Sequence, residues 1–218
     1  MLHTLLFALI PYFTPPAGWE CAKPQNTSSY VQIGFIGKGS SEFRPSINFA
    51  TEEVDVSLAK YVKSVKKIHC EEPETSWRDL GKFMMQAGEG RLTEITTPSP
   101  WGEVKILQAL FVKDSTAYII TGASLKKESI QFQSDFINTF RSLSLTPDLF
   151  SPLPSKKKDE FQKLFSKWEN VLSADQKEKD WLNLQKIAAN CPEMGSHWHF
   201  LVLQEGHKKI FQKENKTK

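Results

Sequence analysis

The chain has 218 residues, of which 39% are hydrophobic and 24% charged, and its formal net charge is +3. That is apolar enough for a packed core and excludes wholesale disorder, while a pI near 8.6 falls short of a dedicated nucleic-acid binder. The charge is uneven: residues 1–150 hold 15 basic against 16 acidic residues, and residues 151–218 hold 13 against 9, so a near-neutral body precedes a basic tail.

Leu5 to Ile10 is an apolar run, broken by Pro11 and continued by Tyr12 and Phe13. It is too short to span a bilayer as a helix, so no integral membrane span is expected. Two readings of residues 1–15 stay open: the apolar part of a signal peptide, or a strand or short helix packed on the domain. No Lys or Arg precedes the run and no clean small-x-small cleavage site follows it. Glu20 before Cys21 argues against a lipoprotein attachment site. Export to the periplasm and residence in the cytoplasm both stay open.

Pro15, Pro16 and Gly18 mark a turn that delivers Trp19. Tyr30 to Ile36 reads as a strand with Val31, Ile33 and Phe35 on one face. Gly37 to Ser41 reads as a flexible turn, and Arg44 to Ala50 as a second strand. Asp55 is the expected N-cap of a helix whose apolar stripe is Leu58, Tyr61, Val62, Val65 and Ile68, with Pro73 past its end. A meander follows: Trp77–Met85, Glu89–Thr97, Trp101–Val112 and Thr116–Ser124. Its short turns require antiparallel pairing. One sheet face is expected to be buried and the other partly wet. A second helix over 127–140 presents Ile130, Phe136, Ile137 and Phe140, and Ser142 to Leu145 alternates as a closing strand. The pattern predicts an α+β fold, an antiparallel sheet meander flanked by helices, with a C-terminal helical extension.

Pro147, Pro152 and Pro154 predict a linker over 147–154, and residues 155–218 a basic helical extension. Phe161, Leu164, Phe165, Trp168, Val171 and Leu172 form the cleanest helical stripe in the chain. Ser173 suits the cap of a further helix carrying Trp181, Leu184, Ile187 and Ala188. A last helix is expected over 198–211, with Gly206 as its weak point.

This order of elements resembles the PsbP-like and DcrB-like superfamily of small α/β/α sandwich proteins, as a bacterial member. The resemblance spans residues 16–146. It rests on Pro16-Ala17-Gly18-Trp19, on Arg44-Pro45-Ser46-Ile47, and on the helix after Asp55-Val56-Ser57-Leu58. It rests also on Thr116 to Ala123 followed by a helix ending in Phe140-Arg141-Ser142-Leu143. The resemblance implies a binding or assembly role and brings no catalytic residues across.

The residues themselves offer little chemistry. Gly34 to Ser40 lacks the spacing of a phosphate loop and lies between strands, so no helix N-terminus follows it. There is no Gly-x-Ser-x-Gly elbow. His69 and Cys70 are adjacent on a helix, where side chains diverge by about 100°. Three widely spaced cysteines, Cys21, Cys70 and Cys191, are no disulfide framework and read as reduced thiols. Cys191, His197, His199 and His207 are weak metal candidates, because a helix splays His197 and His199 apart. Glu52-Glu53 and Glu71-Glu72 read as solvated ends of elements, and Arg91 between Glu89 and Glu94 as a cross-strand ion pair.

No cofactor, metal or catalytic residue is expected, and the chain reads as a non-enzymatic binding or assembly protein. Its candidate partner-binding residues are Phe161, Leu164, Phe165 and Trp168, engaging a protein partner or a second copy through the C-terminal helices. The alternative is a small-ligand binder or enzyme with a pocket between sheet and helices, walled by Trp77, Trp101 and Tyr118.

Overall fold

The computed structural model describes residues 9–22, 31–39, 42–168 and 173–211. The first elements are β1 (Ile10–Tyr12), β2 (Glu20–Ala22), β3 (Val31–Ile36), β4 (Ser46–Glu53) and α1 (Leu58–Glu71). There follow β5 (Ser76–Met85), β6 (Gly88–Thr97), β7 (Val104–Lys113), β8 (Thr116–Leu125) and α2 (Ser129–Arg141). The chain ends with β9 (Ser144–Thr146), α3 (Ser155–Lys167), α4 (Ala174–Ala189) and α5 (Gly195–Phe211). These elements form two compact units, Pro15–Leu143 and the two chain ends, Met1–Thr14 with Ser144–Lys218.

The Pro15–Leu143 unit is built on a seven-stranded antiparallel sheet of order β2-β3-β4-β8-β7-β6-β5. The tight β7–β8 hairpin turns on Asp114 and Ser115, both at positive φ, the mirror-image turn that matches strand twist. The register places Ile47, Phe49, Leu107, Phe111, Tyr118 and Ile120 on one face. There α2 lies across the sheet with Phe136 over Gly122 and Phe140 against Phe83. Trp19 meets Phe132 and Phe136 edge-on, so the opening turn delivers it onto α2. On the opposite face, Tyr61 and Val62 of α1 cover Leu110 and Ala117. A sheet with a helix on each face is an α/β/α sandwich.

Two local expectations change. Ser57, not Asp55, occupies the N-cap of α1, and no side chain caps it. The chain is still tied to the sheet just before, because β4 runs to Glu53 and the Val54 N–H donates to the Ser115 carbonyl at 2.9 Å. The helix then buries only its first half, Leu58 to Val65, and Ile68 is 63% exposed.

The second unit joins α3, α4 and α5 to a two-stranded ribbon in which β1 pairs β9, Ile10 opposite Thr146. The alternating stretch at 142–145 thus does not close the large sheet, and Ile10–Tyr12 pair with it in the helical unit, while residues 1–8 lie outside the described residues. Phe13 is fully buried there, against His197. The stretch 147–154 is no linker either. Leu149 and Leu153 enter the helical core, Asp148 accepts the N–H groups of Phe150 and Ser151, and the Trp198 indole donates to the Leu149 carbonyl at 2.7 Å. As expected, Ser173 caps α4, accepting from the Gln176 N–H. Gly206 is buried where α5 crosses α4; a Cβ there would lie 2.1 Å from Leu184 Cδ2, so the weak helix former is there for close approach.

Candidate binding site

β5 is an edge of the large sheet, and its pairing with β6 slips at Asp79–Leu80–Gly81. Asp79 stands opposite Thr93 and Gly81 opposite Leu92, leaving Leu80 as the extra residue of a β-bulge. Gly81 takes φ +102°, which a side chain would resist, and its N–H donates to Asp79 Oδ1 at 2.8 Å. On the α1 face Arg91 grips Asp79 through Nε and Nη2, at 2.8 and 2.7 Å. The bulge frees Leu80 to line the opposite, α2-covered side, where it is 42% exposed.

Leu80 borders a cavity of about 60 Å³ beneath the flank of α2. Leu92 and Leu107 form the floor, and Phe136 and Ile137 the helix wall, with Ser129 and Gln133 above. Ser124 lies at its base, 1% exposed, and its Oγ has no hydrogen-bond partner among the described residues. Lys105 is the direct cross-strand partner of Ser124, so both residues face the cavity from neighbouring strands, and the Lys105 ammonium reaches to Glu94. Glu94 accepts from Lys105 Nζ and from Arg78 Nε, both at 3.0 Å. Burial pulls the Glu94 carboxyl upward, but the bonds from Lys105 and Arg78 outweigh it and hold the pKa below the ordinary value. Two cations facing one carboxylate leave one positive charge beside the cavity. Ile130, on the same side of α2 as Ile137, is 81% exposed.

The sequence-predicted candidates lie elsewhere. Phe161, Leu164, Phe165 and Trp168 are all buried inside the helical unit, where Phe161 stands edge-on to Trp198 and the Trp168 indole donates to Asp180 at 2.9 Å. They form a core and not an open face; Val171 and Leu172 of that stripe lie outside the described residues. His197 and His199 are both on α5, and they splay. His197 accepts the Phe13 N–H, whereas His199 Nε2 lies 3.0 Å from the Cys191 carbonyl. Cys191 is buried, its thiol pushed up by burial. No three His, Cys, Asp or Glu among the described residues group as metal ligands.

None of Trp77, Trp101 and Tyr118 lines the cavity. Trp77 lies under Lys66 on the α1 side, Trp101 is 51% exposed beside Phe43, and Tyr118 is core. Glu89 pairs with Lys82, so Arg91 spans to Asp79 and not to the acids nearest it in sequence. No described helix is long and apolar enough to cross a membrane. Leu80 and Ser124 were not singled out from the sequence. The signal for Leu80 was the lone Gly81 inside a strand pattern, which marks a bulge.

No protein-family model and no curated protein sequence matches this chain. Solved structures do. LpqN, involved in cell envelope biogenesis of Mycobacterium tuberculosis, aligns with a TM-score of 0.50 at 10% identity, over 66% of this chain and 88% of its own. Cyanobacterial PsbP from Synechocystis sp. PCC 6803 aligns at 0.44 and 11% identity, over 66% and 96%. The α/β/α sandwich of the Pro15–Leu143 unit agrees with the fold expected from the sequence, and the likeness to LpqN is one of fold alone. The Ran-binding protein Mog1p of Saccharomyces cerevisiae aligns more loosely, at 0.36 and 19% identity, over 62% of this chain and 88% of its own. The β5 bulge and the cavity under α2 both lie within the PsbP-like unit.

Proposed function

We propose that this chain is a non-catalytic binding or assembly protein whose PsbP-like unit engages a protein partner at the groove between α2 and the β5 edge. A fold shared with LpqN is a weak warrant for a role, so the reading rests on the site. One observation carries it: the groove is the size of one side chain and is flanked by outward apolar residues. Leu80, 42% exposed, borders a leucine-floored cavity of about 60 Å³, and Ile130, 81% exposed, lies on the same side of α2 as the lining Ile137. Such a cavity seats an anchor residue and not a nucleotide or a cofactor, which need several times that space. Its titratable neighbours, Glu94, Lys105 and Arg78, are joined in one ion-pair cluster of two cations and one carboxylate, as structural clusters are.

A photo-crosslinking residue in place of Ile130 tests the reading in cells that make the protein. The expected result is one discrete protein adduct that disappears when Leu80→Asp is added. The same crosslinker at Ile68, exposed on α1, is the control. No adduct at position 130, or the same adducts from both positions, overturns the reading.

A further inference from the structure

Resting on that reading of the groove, the geometry points to a specific occupant: the C-terminal residue of a peptide, with its branched aliphatic side chain in the cavity and its α-carboxylate between Lys105 and Ser124. Three observations on different atoms converge on it. The first is size. A water-sized group needs roughly 10–15 Å³ of such space, so the cavity takes about four to six groups, which matches the four carbons of a leucine side chain. The second is lining. Leu80, Leu92, Leu107 and Ile137 offer aliphatic contact and no polar atom to a side chain lying on them.

The third is the polar end. Ser124, a residue 1% exposed, holds a hydroxyl without a partner among the described residues, and its strand neighbour Lys105 holds an ammonium that among the described residues pairs with Glu94. An ammonium has three donors, and Arg78 already serves the same Glu94 carboxylate. The spare donors of Lys105 and the hydroxyl of Ser124 therefore offer two donors to the same cavity, in a cluster with one positive charge in excess. A carboxylate accepts from both at once, and charge-assisted bonds of this kind are the strong ones. A carboxylate one or two atoms away from an aliphatic branch point is what a chain terminus ending in Ile or Leu presents. An amidated terminus or an internal residue lacks the charge.

The test is a titration of the full chain, followed by backbone amide NMR shifts, with three probes. These are N-acetyl-glycyl-leucine with a free carboxylate, its C-terminal carboxamide, and 4-methylpentanoate. The proposal expects saturable shifts from the acid peptide, centred on Leu80, Leu107, Ser124 and Gln133. The carboxamide should bind at least about tenfold more weakly, as loss of one charged contact implies. Ser124→Ala and Lys105→Gln should each weaken the acid peptide, and Leu107→Phe, which fills the cavity, should abolish its binding. Ser124→Ala removes only a hydroxyl, so it keeps the test usable if Leu107→Phe fails to fold. Equal binding of acid and carboxamide, equal binding of 4-methylpentanoate, or no saturable shifts at all overturns the proposal. If the Ile130 crosslink persists while the acid peptide fails, only the terminal-carboxylate inference falls. If both fail, the groove is not a binding site.

Discussion

The backbone N–H of Phe13 donates to Nδ1 of His197 at 3.2 Å, across 184 positions of chain. The two rings lie 4.2 Å apart, and Phe13 is fully buried. The chain's first strand is therefore a structural member of the helical unit, and the expected consequence is large. Phe13→Ala should cost about 3–5 kcal/mol of that unit's stability, as for other fully buried phenylalanines. Limited proteolysis with tryptophan fluorescence reads it directly, because Trp168, Trp181 and Trp198 all belong to this unit. Undiminished protection of residues 155–211 in the variant would show that the segment is an ornament.

The same contact makes the helical unit acid-sensitive. Burial holds the His197 imidazole down to about 3 from its ordinary 6.5. The folded pKa lies below the unfolded one, so the unfolded chain takes up a proton that the folded chain refuses. Stability is unaffected above about pH 7 and falls as pH drops from 6.5 towards 3, by about 1.4 kcal/mol per pH unit. Denaturant unfolding at pH 7, 5.5 and 4.5 measures the slope. His197→Asn, whose amide oxygen can still accept from Phe13, should be less stable at pH 7 yet flatter with pH. Parallel pH profiles for the two proteins would assign the acid sensitivity to other groups.

The sandwich was legible because its signals are local. Alternation and tight turns delimit β5 to β8 within three residues, and a 3.6-residue stripe finds α1 and α2. The helical extension was legible for the same reason, down to the Ser173 cap. What sequence reading misplaced depends on pairing across long separations. Nothing near Ser144 says that it pairs with Tyr12 and not with the large sheet. Three prolines read as a linker, yet Leu149 and Leu153 are drawn into a core made by helices up to 60 positions later. The stripe Phe161, Leu164, Phe165 and Trp168 reads as a partner-binding face, because an apolar stripe needs cover and the sequence does not show which element supplies it. The cover came from α4 and α5 of the same chain, whose own apolar patterns are weaker. At the groove, Leu80 was hidden because a bulge breaks the period-two rule by which faces are assigned.

The seat of α2 makes a third prediction. A Cβ on Gly122 would lie 2.5 Å from the Cγ and Cδ1 atoms of Phe136, which is itself 2% exposed. Gly122→Ala should therefore cost about 1–3 kcal/mol, the usual range for overpacking. Adding Phe136→Leu should recover part of the loss, because a smaller side chain yields the space, and the two changes should couple in a double-mutant cycle. Denaturant midpoints provide the four stabilities. Strict additivity would mean that α2 is not held by this contact.

Ser124 supplies the sharpest stability prediction, because its sign runs against the usual direction of a buried substitution. Most truncations of buried side chains destabilise. Here the removed atom is a hydroxyl with no partner among the described residues, in a residue 1% exposed. Folding strips that hydroxyl of water and returns no protein bond for it, a penalty of about 1–3 kcal/mol. Ser124→Ala lifts the penalty and deletes one small polar atom beside Leu107 and Phe136. The variant should be as stable as the natural chain or more so, by up to about 1 kcal/mol. Ser124→Thr is the informative companion. It keeps the hydroxyl and adds a methyl group at the cavity, so it separates loss of the polar atom from change in packing. Chemical denaturation of the three proteins decides it: a Ser124→Ala loss greater than about 1 kcal/mol would mean that the hydroxyl is engaged in the folded protein. Its availability to a carboxylate beside Lys105 would then fall with it.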